Sequence, residues 1–314
     1  MPLHPYFAHR LEAVKRFPSI EQAMADPATA AQLAQAFHDD HTLPVPTGEV
    51  REQEIQTTVG PVAIRLYLPT SAADLGLVWV HGGGFAGGSI GMPESDTVAR
   101  ELAFEHGILV VTVDYALSNG QDVTYPIPHT QVRDAVEWVR AHRTELGLPD
   151  RPIALGGASA GASIALAATA ELRDRDGGAP DALALVYPLL YRTLVDDSAI
   201  DAELSVELGP TRMSQRIVDQ MYGAYTGGGQ APLADAADIE LTGLPTLLTV
   251  VSEYDDLRPG GEAFHRAAVG AGVDAALYLA AGMPHGHLDR TREVPEVSGT
   301  VATLADFLRR ATAD

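Results

Sequence analysis

Short apolar runs alternate with longer segments of helical period between residues 62 and 281. The runs are rich in Val, Ile and Leu, as buried strands are, and the segments between them carry apolar residues three or four positions apart. Because this alternation is typical of a mostly parallel sheet covered by helices, the pattern predicts an α/β fold. Eight strands are predicted, at Glu54–Val59, Val62–Leu68, Leu75–His81, Ile108–Asp114, Pro152–Ala158, Ala182–Tyr187, Pro245–Ser252 and Asp274–Ala280.

The first two predicted strands are separated only by Gly60 and Pro61, and both alternate apolar with polar residues. This pattern indicates an antiparallel hairpin at one edge of the sheet. The remaining strands have helical partners, predicted at Ser95–His106, His129–Leu146, Ser159–Arg173, Gly261–Ala271 and Glu296–Ala311.

Two stretches fall outside the alternation. Residues 1–45 carry helical patterns at Phe7–Phe17 and Ile20–Phe37. Residues 189–244 form a connection too long for a plain loop in a compact domain, so we expect helices there, such as Thr211–Tyr225.

Composition and charge exclude several classes of protein. The 314 residues are 46% hydrophobic and 20% charged, as in an ordinary globular protein. The net charge of −21 would repel a phosphate backbone or an anionic membrane surface, so neither a nucleic acid nor a membrane is expected as a partner. The absence of cysteine excludes disulfides, thiolate nucleophiles and Cys-ligated metals. The first residues lack the basic and apolar regions of a secretory signal, which leads to the expectation of a cytoplasmic protein.

A G-x-S-x-G motif, Gly157-Ala158-Ser159-Ala160-Gly161, lies directly between a predicted strand and a predicted helix. A serine on such a tight turn is exposed as a nucleophile, and small residues on either side let neighbouring backbone pass close. The helix N-terminus adds backbone N–H groups that stabilise negative charge. Taken alone, the motif is equally consistent with a helix N-cap serine among small packing residues.

A second motif, His81-Gly82-Gly83-Gly84-Phe85, follows the third predicted strand. Consecutive glycines can present backbone N–H groups to a substrate oxygen without obstructing side chains, as an oxyanion hole requires. The alternatives are a flexible turn or a phosphate-binding loop, but the phosphate-loop pattern G-K-[ST] is not found here. His81 is interpreted as a structural histidine.

A serine nucleophile needs a base and a carboxylate, and the chain supplies both after later strands. The segment E-Y-D-D-L-R occupies 253–258, and M-P-H-G-H occupies 283–287. The order of serine, acid and histidine is that of the α/β-hydrolases. Spacing alone does not distinguish Glu253, Asp255 and Asp256 as the acid.

Together these residues resemble the hormone-sensitive-lipase-like carboxylesterases, bacterial family IV of the α/β-hydrolase superfamily. The markers are H-G-G-G-F at 81–85, V-D-Y at 113–115, Tyr125-Pro126, Asp134, Trp138, G-A-S-A-G at 157–161, E-Y-D-D-L-R at 253–258 and H-G at 285–286. The resemblance covers residues 46–314 and implies the α/β-hydrolase fold, with a central, mostly parallel eight-stranded sheet flanked by helices and a helical cap. Departures from the family pattern are Ala158 before the serine, Ala116 in place of an arginine, and Asp256 where proline is common.

The resemblance also implies roles for particular residues. Ser159 would be the nucleophile, Asp255 the acid and His285 the base. The oxyanion would be held by backbone N–H groups of Gly83, Gly84 and Ala160.

The implied domain plan places N-terminal cap helices at 1–45, the core at 46–188 and 245–314, and a cap insertion at 189–244. The substrate pocket is expected to use Phe37, Met213, Met221 and Tyr222, with His287 at its mouth. The insertion holds nine acidic residues against three arginines, a net charge of −6, so a negative entrance that favours neutral or cationic esters is expected.

The predicted function is hydrolysis of short-to-medium acyl esters through a covalent acyl-enzyme, with no metal or cofactor. An amidase or a lactone or carbamate hydrolase would use the same triad. A non-catalytic small-ligand receptor on the same fold is the other alternative, but His285 argues against it. Because family members often pair through the last strand and helix, a homodimer is one alternative for the oligomeric state.

Overall fold

The computed structural model of the chain describes residues 1–15, 17, 19, 22, 26–37, 44–175, 178–290 and 292–313. Eight strands form one sheet in the order β1-β2-β4-β3-β5-β6-β7-β8. Their bounds are β1 Glu49–Thr57, β2 Gly60–Leu68, β3 Gly76–Val80, β4 Leu109–Asp114, β5 Ile153–Ala158, β6 Ala182–Val186, β7 Thr246–Tyr254 and β8 Ala275–Pro284. The predicted α/β fold with an eight-stranded sheet is confirmed.

The first two strands form the predicted antiparallel hairpin, with Thr57 opposite Gly60. Gly60 adopts a φ of +113°, a conformation that a glycine allows at this tight turn. β2 also pairs antiparallel with β4, whereas every pairing from β4 through β3 to β8 is parallel. The sheet is therefore mostly parallel with an antiparallel edge.

Nine α-helices lie within the described residues: α1 Pro5–Val14, α2 Pro27–Phe37, α3 Pro93–Phe104, α4 Ile127–Ala141, α5 Ala160–Asp174, α6 Ser198–Glu207, α7 Gln215–Thr226, α8 Arg258–Gly270 and α9 Pro295–Ala311. The helices predicted after strands are present, although α4 ends earlier than Leu146, before a turn at Gly147 with a φ of +73°. Part of the predicted helix Ile20–Phe37 lies outside the described residues.

Alternate residues of the central strands contribute to two separate hydrophobic layers. On β3, Val78 and Val80 belong to the layer that includes residues of α4, α5, α7 and α8. Leu77 and Trp79 belong to the layer that includes residues of α1, α3, α6 and α9. Because successive side chains of a strand point to opposite faces, one buried strand supplies both layers.

The carboxyl ends of the parallel strands lie at one edge of this sheet. The loops after β3, β5, β6, β7 and β8 therefore meet there, as active-site loops do in open α/β sheets. No helix within the described part of the chain is both long enough and apolar enough to cross a bilayer.

Candidate active site

Ser159 lies at the turn between β5 and α5 with a φ of +53°, a left-handed conformation that is unusual for a serine. The neighbouring glycines leave no room for a side chain. A Cβ atom on Gly157 would lie 2.6 Å from the carbonyl oxygen of Gly161, and one on Gly161 would lie 2.3 Å from that of His81. The tight turn thus depends on both glycines and aims Ser159 at the edge where the loops meet.

A hydrogen-bonded chain of three side chains starts at this serine. Ser159 Oγ lies 3.0 Å from His285 Nε2, and His285 Nδ1 lies 2.8 Å from Asp255 Oδ2. The other carboxylate oxygen of Asp255 accepts the backbone N–H of Leu257 at 2.9 Å. A hydroxyl, an imidazole and a carboxylate therefore lie in one connected row, the order in which a nucleophile, its base and a group that orients the base would stand.

The three carboxylates after β7, which spacing left undistinguished, contact three different partners. Asp255 contacts His285, whereas Glu253 Oε2 accepts the backbone N–H of Gly282 at 2.6 Å. Asp256 contacts Arg212. Only the middle residue thus hydrogen-bonds to the histidine among these three.

The pKa of His285 reflects two opposing effects. Burial would lower it, but the charge of Asp255 and the hydrogen bond that Nδ1–H of His285 donates to Asp255 outweigh burial and raise the pKa above its ordinary value. Such a histidine can take up a proton and is stabilised as the imidazolium by the adjacent carboxylate.

The glycine-rich loop adopts backbone conformations that favour glycine. Gly83 and Gly84 have φ values of +117° and +61°, and a Cβ atom on Gly83 would lie 2.2 Å from the carbonyl oxygen of Gly87. Among the described residues, the backbone N–H groups of Gly83, Gly84 and Ala160 donate to no protein acceptor. Three donors are therefore left for a ligand.

His81, at the start of this loop, is fully buried and stacks on Tyr115 with ring centroids 4.3 Å apart. The hydroxyl of Tyr115 donates to the carbonyl oxygen of His81 at 3.1 Å. Burial lowers the pKa of His81, so the side chain packs as a neutral ring beneath the loop.

A cavity of about 360 Å³ opens beside His285 and Asp255. Its apolar wall comes from α1 and from residues 208–221, namely Phe7, Leu11, Leu208, Met213, Ile217 and Met221. Met213 and Met221 thus lie where the sequence predicted pocket residues. Phe37 is the last residue of α2, and its side chain lies outside the described part of the structure.

The other two predicted pocket residues lie elsewhere. The prediction that His287 lines the pocket mouth is wrong, since this side chain is fully buried between Ser252 Oγ at 3.1 Å and Thr300 Oγ1 at 3.0 Å. The chain turns at Gly286, with a φ of +69°, and this turn directs His287 into the core. Burial lowers its pKa to about 3.

Tyr222 is 4% exposed and is not among the residues that line this cavity, so the structure differs from the prediction here too. Its hydroxyl donates to the carbonyl oxygen of Leu189 at 3.2 Å, and its ring packs edge-on against Phe85. The helical period places Tyr222 on the buried face of α7, next to Met221 on the face that lines the cavity.

Asp256, next to Asp255 in the chain, stabilises part of the cavity wall. Its Oδ1 accepts Arg212 Nε at 2.8 Å and Nη2 at 2.6 Å, and its Oδ2 accepts the backbone N–H of Met213 at 2.6 Å. Arg212 also contacts Asp201 at 2.7 Å. The sequence indicated Asp256 as one of three candidate acids and as a departure from the common proline, but it did not indicate the contacts with Arg212 and Met213.

No group of three or more His, Asp or Glu side chains suited to a metal ion is found within the residues that the structure describes. The site consists of a serine, a histidine and a carboxylate, beside free N–H groups and an apolar cavity. These parts suit acyl transfer through a serine.

Residues 77–289 match a family model described as the alpha/beta hydrolase fold. An arylesterase of Saccharolobus solfataricus is 29% identical over 281 residues, covering 87% of this chain and 86% of that protein. The carboxylesterase NlhH of Mycobacterium tuberculosis is 30% identical over 260 residues, covering 80% and 78%. A hyperthermophilic esterase from Pyrobaculum calidifontis superimposes with a TM-score of 0.80 at 27% identity over the full length of both chains. The chain therefore belongs to the α/β-hydrolase family and, with these relatives, to the carboxylic ester hydrolases of that family.

Proposed function

We propose that this enzyme hydrolyses neutral, short-to-medium acyl esters through a triad of Ser159, His285 and Asp255. The observation that carries the proposal is the unbroken row from Ser159 Oγ to His285 Nε2 at 3.0 Å and from His285 Nδ1 to Asp255 Oδ2 at 2.8 Å. The row ends beside an apolar cavity and three free backbone donors.

The reaction has two steps. Ser159 Oγ attacks the ester carbonyl carbon while its proton passes to His285 Nε2, and the oxyanion accepts hydrogen bonds from Gly83, Gly84 and Ala160. The C–O bond of the ester then breaks, and His285 returns the proton to the leaving alcohol. Water attacks the acyl-enzyme in the same way, which releases the acid and restores the serine.

The cap is part of the proposal. Residues 1–45 and 189–244 form a helical cap over a core made of residues 46–188 and 245–314. Support comes from the cavity, whose apolar lining includes Phe7 and Leu11 of α1 as well as Met213 and Met221 of the insertion.

The charges of the pocket favour neutral substrates. Arg212 at the cavity is held by the carboxylates of Asp201 and Asp256, so its charge is matched within the protein. Together with the net charge of −6 on residues 189–244, this arrangement disfavours an ester that carries its own carboxylate.

A homodimer through the last strand is also proposed. β8 is an edge strand of the sheet, and Leu277 and Leu279 on it are 41% and 38% exposed. An exposed apolar edge strand is suited to pairing with a second copy. Light scattering after size-exclusion chromatography measures the mass, and the mass of a single chain would contradict this pairing.

Replacement of the nucleophile tests the central proposal. Ser159→Ala should lower kcat/KM for p-nitrophenyl butyrate at least about 10⁴-fold and abolish labelling by a fluorophosphonate. Ser163→Ala is the matched control, because Ser163 lies on the same helix and its hydroxyl donates to the carbonyl oxygen of Leu189. Retained labelling in Ser159→Ala, or a wild-type protein that binds esters without turnover, would contradict the triad.

The pH profile gives an independent measurement. The base must be neutral, and Asp255 raises the pKa of His285 above its ordinary value. The rate constant kcat/KM should therefore fall as the pH decreases through that raised pKa, and a flat profile across the histidine range would argue against His285 as the base.

A further inference from the structure

Glu94 is a buried carboxylate close to the candidate site that the proposed reaction does not use. It is the second residue of α3 and is 3% exposed. Its Oε1 accepts the backbone N–H of Gly82 at 2.6 Å, and its Oε2 accepts the hydroxyl of Tyr187 at 2.6 Å. Both oxygens thus accept short hydrogen bonds from two different loops of the site.

The first of these hydrogen bonds fixes the start of the glycine loop. Gly82 immediately precedes Gly83 and Gly84, the proposed oxyanion donors. A Cβ atom on Gly82 would lie 2.7 Å from Glu94 Oε1 and 3.1 Å from Ser159 Cβ. The Gly82 peptide is therefore enclosed between Glu94 and the nucleophile, so the position of the carboxylate determines how the loop faces Ser159.

The second hydrogen bond leads to the base. Tyr187 follows β6 directly, with a φ of +35°, and its backbone N–H donates to the carbonyl oxygen of Val250 at 2.7 Å. Its ring packs edge-on against His285 with centroids 5.1 Å apart. A single hydroxyl group thus connects Glu94 to the ring that supports the imidazole.

Several other titratable groups surround Glu94 and His285. The groups that face Glu94 or His285 are Tyr115, Tyr187, Asp255, Asp256, His287 and Asp289. The backbone N–H of Glu94 donates to Asp289 at 3.4 Å, and Asp289 is paired with Arg290. Burial raises the pKa of Glu94, while the hydrogen bonds from Tyr187 and Gly82 oppose that rise.

We propose that Glu94 is a positioning residue, which aligns the oxyanion loop through Gly82 and the base through Tyr187. This inference rests on the proposed function. The loop donors must be in place before the oxyanion forms, and a displacement of about 1 Å can cost about 100-fold in rate. The carboxylate of Glu94 is one of the charges that raise the pKa of His285, after those of Asp255.

Two substitutions separate geometry from charge. Glu94→Ala removes both acceptors and should lower kcat for p-nitrophenyl butyrate about 100-fold with little change in KM, because the loss falls on the transition state. Glu94→Gln keeps an oxygen for Gly82 and an amide for the Tyr187 hydroxyl, so kcat should recover to within about 10-fold of wild type. Its acid limb of kcat/KM should move to lower pH, since the negative charge near His285 is lost.

The matched control is Glu101→Gln, which makes the same change on the same helix. Glu101 is also 3% exposed and pairs with Arg292 Nε at 2.6 Å, but it has no contact with the glycine loop. The Glu101→Gln variant should have a changed melting temperature but the same acid limb of kcat/KM as wild type. Tyr187→Phe removes the linking hydroxyl alone and should lower kcat about 10-fold.

The outcomes separate this inference from the proposed function. If wild type is inactive or Ser159→Ala retains turnover, the triad fails and this inference fails with it. If wild type is active and Glu94→Ala keeps kcat within about threefold, Glu94 has no positioning role. If Glu94→Ala does not fold, Glu94→Gln decides the question. The inference is overturned if the acid limb of kcat/KM for Glu94→Gln lies at the same pH as for Glu101→Gln, and it is supported if that limb lies at lower pH.

Discussion

The two sides of the candidate site are held by different kinds of contact. On the nucleophile side, backbone packs against backbone, and a single added carbon on Gly157 or Gly83 would lie less than 3 Å from a carbonyl oxygen. On the pocket side, the wall consists of side chains such as Met213 and Met221, and Asp256 pairs with Arg212 and accepts the backbone N–H of Met213. The close backbone packing on the nucleophile side allows only one geometry, whereas the methionines on the pocket side can repack around substrates of different shape.

Because of this difference, the nucleophile side should determine the rate of the reaction, and the pocket side should determine which substrates bind. The proposed reacting groups lie at strand ends, where the sheet fixes their positions, so substitutions there should reduce kcat. The pocket wall belongs to segments outside the sheet, so substitutions there should change KM and the choice of substrate.

The largest effect should come from the carboxylate behind the base. Asp255→Asn should lower kcat about 10⁴-fold in steady-state assays, because the amide no longer holds His285 in the reactive tautomer or stabilises the imidazolium. Glu253→Gln, two residues away, should leave kcat near wild type, because its partner is the backbone N–H of Gly282. Equal losses in the two variants would contradict the assignment of Asp255.

A smaller but still large effect is expected in the glycine loop. Gly84→Ala adds a Cβ atom 3.0 Å from Met221 Cγ at a φ of +61° and should displace one donor, lowering kcat by about 10²-fold to 10³-fold. Gly147→Ala imposes similar strain at a φ of +73° with nothing within 4 Å, so it controls for stability alone. If both variants keep the wild-type kcat, the oxyanion hole lies elsewhere.

On the pocket side, the ion pair of Arg212 with Asp256 offers a moderate effect. Asp256→Asn should raise KM for a neutral ester about 10-fold, because a hydrogen-bonded charge partner is lost from the wall that carries Met213. Arg212 should then bind a carboxylate-bearing ester better, so the ratio of kcat/KM for succinate monoesters to that for butyrate esters should rise.

The control for that change is Asp238→Asn. Asp238 lies in the same insertion and is exposed, so the substitution changes net charge equally without touching the ion pair. The same shift in the ratio for both variants would mean that overall charge, and not the freed Arg212, determines the preference.

The smallest effect on activity is expected at His287, which acts on stability at low pH. His287 has a folded-state pKa of about 3 against an ordinary value of 6.5, so between these pH values the unfolded chain binds a proton that the folded chain does not. Because of this extra proton, the free energy of unfolding decreases as the pH falls from about 6.5 towards about 3, by at most about 1.4 kcal/mol per pH unit. In urea unfolding, the free energy of unfolding should decrease less steeply with falling pH for His287→Gln than for wild type. His9 is exposed, so His9→Gln should match wild type.

Much of the fold could be predicted because strands and helices have local periodicities. Runs of apolar residues next to glycines indicated the hairpin around Gly60. They also indicated the parallel strands that end before Gly82 and Ser159. Helix ends were less predictable: α4 stops at Ala141, although the apolar period continues to Leu146. Periodicity measures which face of a segment is buried and does not fix where the segment ends.

The sequence by itself determined the fold class, the order of the serine, acid and histidine, and the glycines that their turns require, because these depend on backbone conformation and local pattern. The tertiary structure decided which partner each side chain contacts. Ser159 and His285 are 126 positions apart in the chain, and Glu94 and Tyr187 are 93 positions apart. No local motif spans such distances. Neither the burial of His287 nor the contact of Glu94 with Gly82 follows from local pattern, because both depend on segments that meet only when the sheet is assembled.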